Sequence, residues 1–293
     1  MEGEPFAAIP QPLSLWRNAE PLVFIHHFSG YRQGGLGEAV RREAALHRIR
    51  VLNIDRDWCL GHDLLDDSAQ APYVLDIKLA AAGKVQGYHT GWVCSSFSRI
   101  RFLPGGPPPV RDRSHLTGLP SNNAAQQAEA DRGTNMVERS IKMMRAVVLG
   151  GSKVGYASTS TCENPEDPGV EPYPSAWIMP CVVELAAEGA HETASFPLCA
   201  YGPRHAKQQR FQGNLPKLAS LSKKCTCLRK HIPLRGNKAA LRAAARYPPA
   251  LCQAYARLWV AHVCSYIDLI LPSKGDGCDT RVYLGTYRIL LRG

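Results

Sequence analysis

The residues of this chain whose chemistry could make and break covalent bonds are spread along it, one group at a time, each just after a short apolar run. In order they are Phe28-Ser29-Gly30 with Gly34-Gly35, then Asp55, then Cys94 in "GWVCSSFS", then Glu163-Asn164, then Tyr201-Gly202-Pro203. A cysteine thiolate is a nucleophile. A carboxyl group near it can protonate a ring that the thiolate has attacked. Glycines let backbone approach a bound group closely, and an acid at a strand end accepts hydrogen bonds from ribose hydroxyls. The five groups thus describe a nucleophile, a proton donor and a cradle for a ribose-bearing cofactor.

Such groups meet only if the runs before them are strands of one sheet. "LVFIHHF" (22–28), "RVLNID" (50–55), "KVQGYHTGWV" (84–93), "VGYASTSTCEN" (154–164), "ETASFPLCAYG" (192–202) and "KQQRFQGNL" (207–215) have the length and β-rich composition of strands. Between them, Leu36, Val40, Ala44 and Leu46 have helical spacing, "PYVLDIKLAAAG" (72–83) reads as a helix closed by Gly83, and 121–151 is a long helical stretch with an interruption expected at Gly133. "SAWIMPCVVELAAEG" (175–189) reads as one more helix. Alternation of this kind predicts an α/β, Rossmann-like fold, a mostly parallel sheet with helices on both faces. Ligands of such sheets bind beyond the carboxyl ends of the strands, where the five groups fall.

Two segments break the rhythm. Residues 102–120, "FLPGGPPPVRDRSHLTGLP", form a Pro/Gly-rich loop with Arg111, Arg113 and His115, too irregular for core and long enough for function. Residues 220–238, "SLSKKCTCLRKHIPLRGNK", are basic and carry two cysteines. Cys225, Cys227 and His231 are candidate metal ligands there, one short of the four that a structural zinc takes, with Cys199, His205 and Cys252 open as the fourth. No metal is assigned, and Lys223, Lys224, Arg229, Lys230 and Arg235 are read as a solvated basic face suited to a nucleic-acid backbone.

The 293 residues, 45% of them hydrophobic, suffice for a sizeable core and exclude a wholly disordered chain. The formal charge of +10 favours an anionic partner, nucleic acid ahead of a membrane surface. Ten scattered cysteines in a chain this long read as reduced thiols rather than a disulfide framework. The acidic, proline-bearing start "MEGEPFAAIPQP" is unlike a signal peptide, and "LWVAHVCSYIDLILP" is broken by His262 and Asp268, so a soluble, intracellular protein is expected, nuclear in a eukaryote. The expected organisation is an N-terminal extension (1–21), a catalytic domain (22–219), a basic Cys/His insert (220–246) and a C-terminal helix and tail (247–293) that complete the domain.

The order "FSG…GG", an acid after the second strand, "GWVCSSFS", "CENP" and "YGPRHAKQQR" resembles the cytosine-C5 DNA methyltransferases over residues 22–212, and "YPPALCQAYARLW" resembles their closing helix. Val93 stands where that family has proline before its cysteine, and the span from Tyr201 to Tyr247 is short for its target-recognition domain. "ENPEDPG", "GNLP", "PLRG" and "YPPALC" further resemble the methyltransferase-like segments of dinoflagellate mobile-element proteins. The resemblance implies an S-adenosylmethionine-dependent methyltransferase fold and methylation of cytosine C5 in DNA, favoured over RNA, through a covalent adduct. It assigns Cys94 as nucleophile and Glu163 as the acid that protonates N3. Asn164 then holds the base edge or nearby backbone, and Arg210 with Lys207 steadies the flipped base and its phosphates. Phe28, Ser29, Gly30, Gly34, Gly35 and Asp55 would hold the cofactor. The alternatives are a methyltransferase-shaped module of a mobile-element polyprotein that binds nucleic acid without turnover, and a methyltransferase with another substrate.

Overall fold

The structure is a computed structural model, and it describes residues 20–29, 35–57, 60–92, 94–189, 191–228, 230–234 and 244–270. Strand β1 (Leu22–His27) buries Phe24 and His26 on one face and Ile25 and His27 on the other, a pattern that only a central strand can satisfy. It pairs in parallel with β2 (Val51–Arg56) on one side and β3 (Gly87–Thr90) on the other. β4 (Thr159–Pro165) continues the parallel run beside β3. β6 (Gln208–Gly213) is antiparallel to β4, and β5 (Glu192–Pro197) is antiparallel to β6 at the far edge. The sheet is therefore mixed and six-stranded, in the order β2-β1-β3-β4-β6-β5, with β6 running against the others.

Five α-helices are found among the described residues, and they cover both faces. α1 (Leu36–Leu46) and α5 (Pro249–Ile270) pack on one face, where Leu36, Val40 and Ala44 meet a stripe of Leu251, Tyr255, Trp259 and Val263 over Phe24 and Phe211. Trp259 and Phe24 are fully buried in an edge-to-face contact at 5.4 Å. Burying a side chain of this size contributes roughly 1.5–3 kcal/mol. α2 (Pro72–Ala81), α3 (Ala124–Lys153) and α4 (Pro180–Ala187) cover the other face, around Ile25, Tyr88, Met144, Val147 and Trp177. No helix among the described residues is long and apolar enough to cross a membrane.

Two sequence expectations need correction. α3 runs unbroken through Gly133 for 30 residues, about 45 Å at 1.5 Å per residue. It is started by a reciprocal cap, in which the Asn123 side chain accepts from the Gln126 N–H and the Gln126 side chain accepts from the Asn123 N–H, each at 2.9 Å. The stretch 175–189 is not one helix. Met179 is extended (φ −64°, ψ 137°) because the proline after it disfavours helical backbone, so a short turn at Ala176–Ile178 ends there and α4 begins at Pro180.

Candidate active site

The chain leaves β1 for β2 on one side and returns to β3 on the other, and the helices after β1 and β3 lie on opposite faces. A crevice opens at the carboxyl ends of two strands so related. Phe28, the first residue past β1, takes φ 59°, a left-handed conformation that costs a side-chain-bearing residue roughly 1–2 kcal/mol. The next N–H, of Ser29, donates to the Arg56 carbonyl at 3.2 Å, which turns the chain toward the end of β2. Ser29 Oγ is buried and has no hydrogen-bond partner among the described residues. Gly35 caps α1 in extended backbone. Gly30, Gly34 and Val93 lie outside the described residues, as do Arg229 and Arg235.

Asp55 is inside β2 rather than beyond it, because the strand runs one residue further, to Arg56. Its carboxylate accepts from Asn53 Nδ2 at 2.7 Å and lies 3.8 Å from His26 Nδ1. The acid that follows the strand is Asp57, which the sequence pattern did not single out. Asn53 packs against Gly37 in the first turn of α1, where any side chain would collide with its amide, and Asn53 Oδ1 is buried without a partner among the described residues.

The segment leading to Cys94 is fixed by β4. Asn164 Nδ2 donates to the Trp92 carbonyl at 3.1 Å. A Cβ on Gly91 would stand 2.6 Å from the Tyr247 hydroxyl and 2.9 Å from Glu163 Oε2, so a glycine is what lets Glu163 lie against this strand. Cys94, partly exposed, begins a short 3-10 turn (Ser95–Phe97), its carbonyl accepting from the Phe97 N–H at 3.1 Å. Arg101 locks the turn by donating to the carbonyls of Ser95 (2.8 Å) and Pro108 (2.7 Å) and by pairing with Glu129. Arg111 stacks on Phe97 at 4.0 Å and donates to the carbonyls of Leu116 and Ala130. Gly133 of α3 faces Ser96 and Arg111, so the mid-helix glycine makes room for the turn that follows the thiol.

The loop 102–120 thus enters the interior, against expectation, since Val110 and Arg111 are buried. Burial lowers the Arg111 pKa to about 10, which leaves it charged at neutral pH. Arg113 makes two bonds to Asp167, at 2.7 and 3.1 Å, joining this loop to the one after β4, whereas His115 pairs with Asp112 near the surface.

Glu163 is buried, and its Oε2 accepts from the Tyr247 hydroxyl at 3.1 Å. Its Oε1 is buried with no partner among the described residues. Burial raises the Glu163 pKa above the ordinary carboxylate value, against smaller opposing effects of the Lys207 charge and the Tyr247 bond. Behind it runs a chain of bonds: Tyr247 Oη to His89 Nε2 (2.9 Å), His89 Nδ1 to Thr161 Oγ1 (2.8 Å), Thr161 Oγ1 to Tyr255 Oη (2.7 Å). Complete burial pushes the His89 pKa well down, so the ring is neutral, with one nitrogen donating and one accepting. With the proton assigned to Nε2 from this pattern, Tyr255 donates to Thr161, Thr161 to His89, His89 to Tyr247 and Tyr247 to Glu163, an alignment in which each bond strengthens the next. His26 stacks on Tyr247 at 6.0 Å, and burial lowers its pKa to about 3.

Asn164 and Arg210 are cross-strand partners of the β4–β6 pair, so they share the face opposite to Glu163. The Arg210 guanidinium pairs with Glu166 and lies over the Trp177 ring at 5.1 Å. Its charge is engaged within the protein rather than presented alone. Tyr201 is buried, donating to the Leu221 carbonyl at 2.6 Å, and the turn continues through Gly202 at φ 113°. Cys225, Cys227 and His231 are brought together with Cys199 in a group of their own.

Cys94, Glu163 and Asn164 are therefore gathered at neighbouring strand ends, with Phe28, Ser29 and Asp55 at the adjoining ends of β1 and β2. Tyr247 and His89 escaped the sequence reading, although Tyr247 stands directly before Pro248-Pro249 in the quoted "YPPALC". No protein-family model matches this chain, and no curated protein matches it.

Proposed function

We propose that the chain is an S-adenosylmethionine-dependent methyltransferase that acts on cytosine C5 in DNA through a covalent bond from Cys94. The observation that carries this reading is Glu163, a buried carboxyl with a raised pKa and one unpartnered oxygen, on the strand beside the one that leads into Cys94. Burial makes such an acid hold its proton more readily than a free carboxyl, and its unpartnered oxygen is where that proton can be delivered. The Rossmann-like sheet, with both groups at carboxyl ends next to its switch point, supports the class. The formal charge of +10 supports a polyanionic substrate.

The residues at the ends of β1 and β2 fit the cofactor. Ser29 Oγ, buried without a partner among the described residues, suits one of its polar atoms, and Asp55 suits its ribose hydroxyls. S-adenosylmethionine, when bound, supplies an electrophilic methyl group. The chain's own part begins with a base turned out of the duplex, since C6 is out of reach inside a stack. The Cys94 thiolate adds to C6, and Glu163 Oε1 gives its proton to N3 as charge moves there. Tyr247 holds the other carboxyl oxygen. Asn164 is a positioning residue that fixes the Trp92 carbonyl and with it the approach to Cys94. Arg210 steadies the loop after β4 through Glu166 and Trp177.

The test is trapping. With S-adenosylmethionine and a duplex carrying 5-fluorocytosine, the protein should form an adduct that survives denaturation. No adduct, with cofactor binding shown separately by calorimetry, would refute turnover and leave a module that only binds nucleic acid.

A further inference from the structure

We infer that Cys199, Cys225, Cys227 and His231 form a structural zinc site that pins a basic strap to the edge of the sheet. Their ligand atoms all lie within 4.8 Å of one another, although Cys199 comes from the turn after β5 and the other three lie beyond β6. A tetrahedral zinc with bonds of about 2.3 Å to sulfur and 2.0–2.1 Å to nitrogen sets its sulfur and nitrogen ligands about 3.6 Å apart. Cys225 Sγ and His231 Nε2 are 3.5 Å apart. Three thiolates and one imidazole on a closed, four-ligand site select zinc over magnesium or calcium, which take oxygen. Cys225 and Cys227, with only Thr226 between them, both place their sulfur at the centre.

The strap supplies the second reason. Residues 222–228 and 230–234 form no helix or strand, and 222–228 are exposed throughout, including Leu228. No buried apolar side chain anchors that stretch. It climbs from the amino end of β5, where Glu192 accepts from the N–H groups of Lys217 (2.8 Å) and Ala219 (2.9 Å), past Ser195, whose carbonyl accepts from the Lys223 N–H at 3.3 Å. It reaches the carboxyl rim beside Cys199, where the Ile232 N–H donates to the Arg204 carbonyl at 2.8 Å. Those bonds are sparse for so long an irregular segment, and a metal at its upper end supplies the missing tie. The other candidates for the fourth ligand fall away. Cys252 is a buried core residue of α5, and it and His205 are outside the group.

Full-length protein made in zinc-supplemented medium and purified under reducing conditions without chelator should carry about one zinc per chain by plasma mass spectrometry. Cys227→Ala and His231→Ala should each lose most of it, Cys181→Ala should keep it, and His231→Cys should keep it as a four-thiolate site, which separates loss of a ligand from loss of fold. Cobalt(II) exchanged into the wild type should show thiolate-to-metal charge-transfer bands and the strong visible absorption of a tetrahedral site. Removing zinc with a chelator should speed tryptic cleavage at Lys223, Lys224 and Lys230 at least about tenfold, as the strap loses its tie. Less than about a tenth of an equivalent of zinc, a disulfide between any two of the cysteines under those conditions, or zinc retained in the Cys225→Ala/Cys227→Ala double variant would overturn the site.

Discussion

Removing one hydroxyl, in Tyr247→Phe, tests whether Glu163 is the tuned group. That hydroxyl donates to Glu163 Oε2 at 3.1 Å and accepts from His89 Nε2 at 2.9 Å. Its bond pulls the Glu163 pKa down against the larger upward effect of burial, so its loss sends that pKa higher still. A hydrogen bond to a charged acceptor contributes roughly 1.5–3 kcal/mol, so its loss moves the titration further up. The sign for stability follows from proton binding. Below the ordinary carboxylate pKa of 4.5 both folded and unfolded chains hold the proton, and the raised folded pKa has no effect. As pH rises through that value the unfolded chain releases its proton first, so the folded state loses ground until its own pKa is passed. In the variant this loss continues to higher pH, on top of a pH-independent cost of about 1–3 kcal/mol for the unpaired His89 nitrogen. Melting temperatures across about pH 5 to 9 should therefore diverge between wild type and Tyr247→Phe as pH rises, and the divergence should vanish in a Glu163→Gln background. The alkaline limb of adduct formation should move to higher pH as well. A gap between wild type and variant that stays constant with pH would refute the coupling of Tyr247 to Glu163.

Cys94→Ser should abolish adduct formation while leaving DNA affinity within about twofold, because a serine hydroxyl provides almost no attacking anion near neutral pH; an adduct with the variant would remove Cys94 from the chemistry. Gly91→Ala places a methyl group 2.6 Å from the Tyr247 hydroxyl and 2.9 Å from Glu163 Oε2. It should cost roughly 1–3 kcal/mol in chemical denaturation and slow adduct formation, and a fully active variant would show that Glu163 need not lie against this strand. Asp55→Ala should weaken S-adenosylmethionine binding about 10- to 150-fold in calorimetry, the equivalent of the ~1.5–3 kcal/mol of bonds to a charged group; unchanged binding would point to Asp57 or to a different cofactor pose.

The parallel half of the sheet was legible because β1 to β4 are compact β-rich runs, each followed by turn residues and then by a helix. The direction of β6 was not, since the alternation in "QQRFQG" is the same whichever way the strand runs, and only its partners decide. Glu163 could be found as an acid near the carboxyl end of a run, although it lies inside β4 and not after it. The chain behind it joins residues from three separate elements, and His89 and Thr161 look from sequence like ordinary strand residues. Gly133 shows the opposite failure. Local propensity reads a glycine as a break, but here contact with the Ser95–Phe97 turn fixes its identity while the helix continues. Arg111 misled for a related reason. A proline-rich stretch reads as surface, yet its guanidinium answers to carbonyls of a distant helix and of its own loop.

The reversal of β6 also decides where this architecture can accept new length. For β1 through β4, residues grafted after the strand emerge beside the crevice. For β6 the geography is inverted, because its amino end is the one at that rim. Chain inserted after Gly213 would emerge at the opposite end of the sheet, far from that rim, whereas chain inserted between Pro197 and Gln208 would overhang the rim from the β5 side. A lineage or an engineer seeking to change what this protein accepts on that side has one short turn to extend, and that turn already holds Cys199.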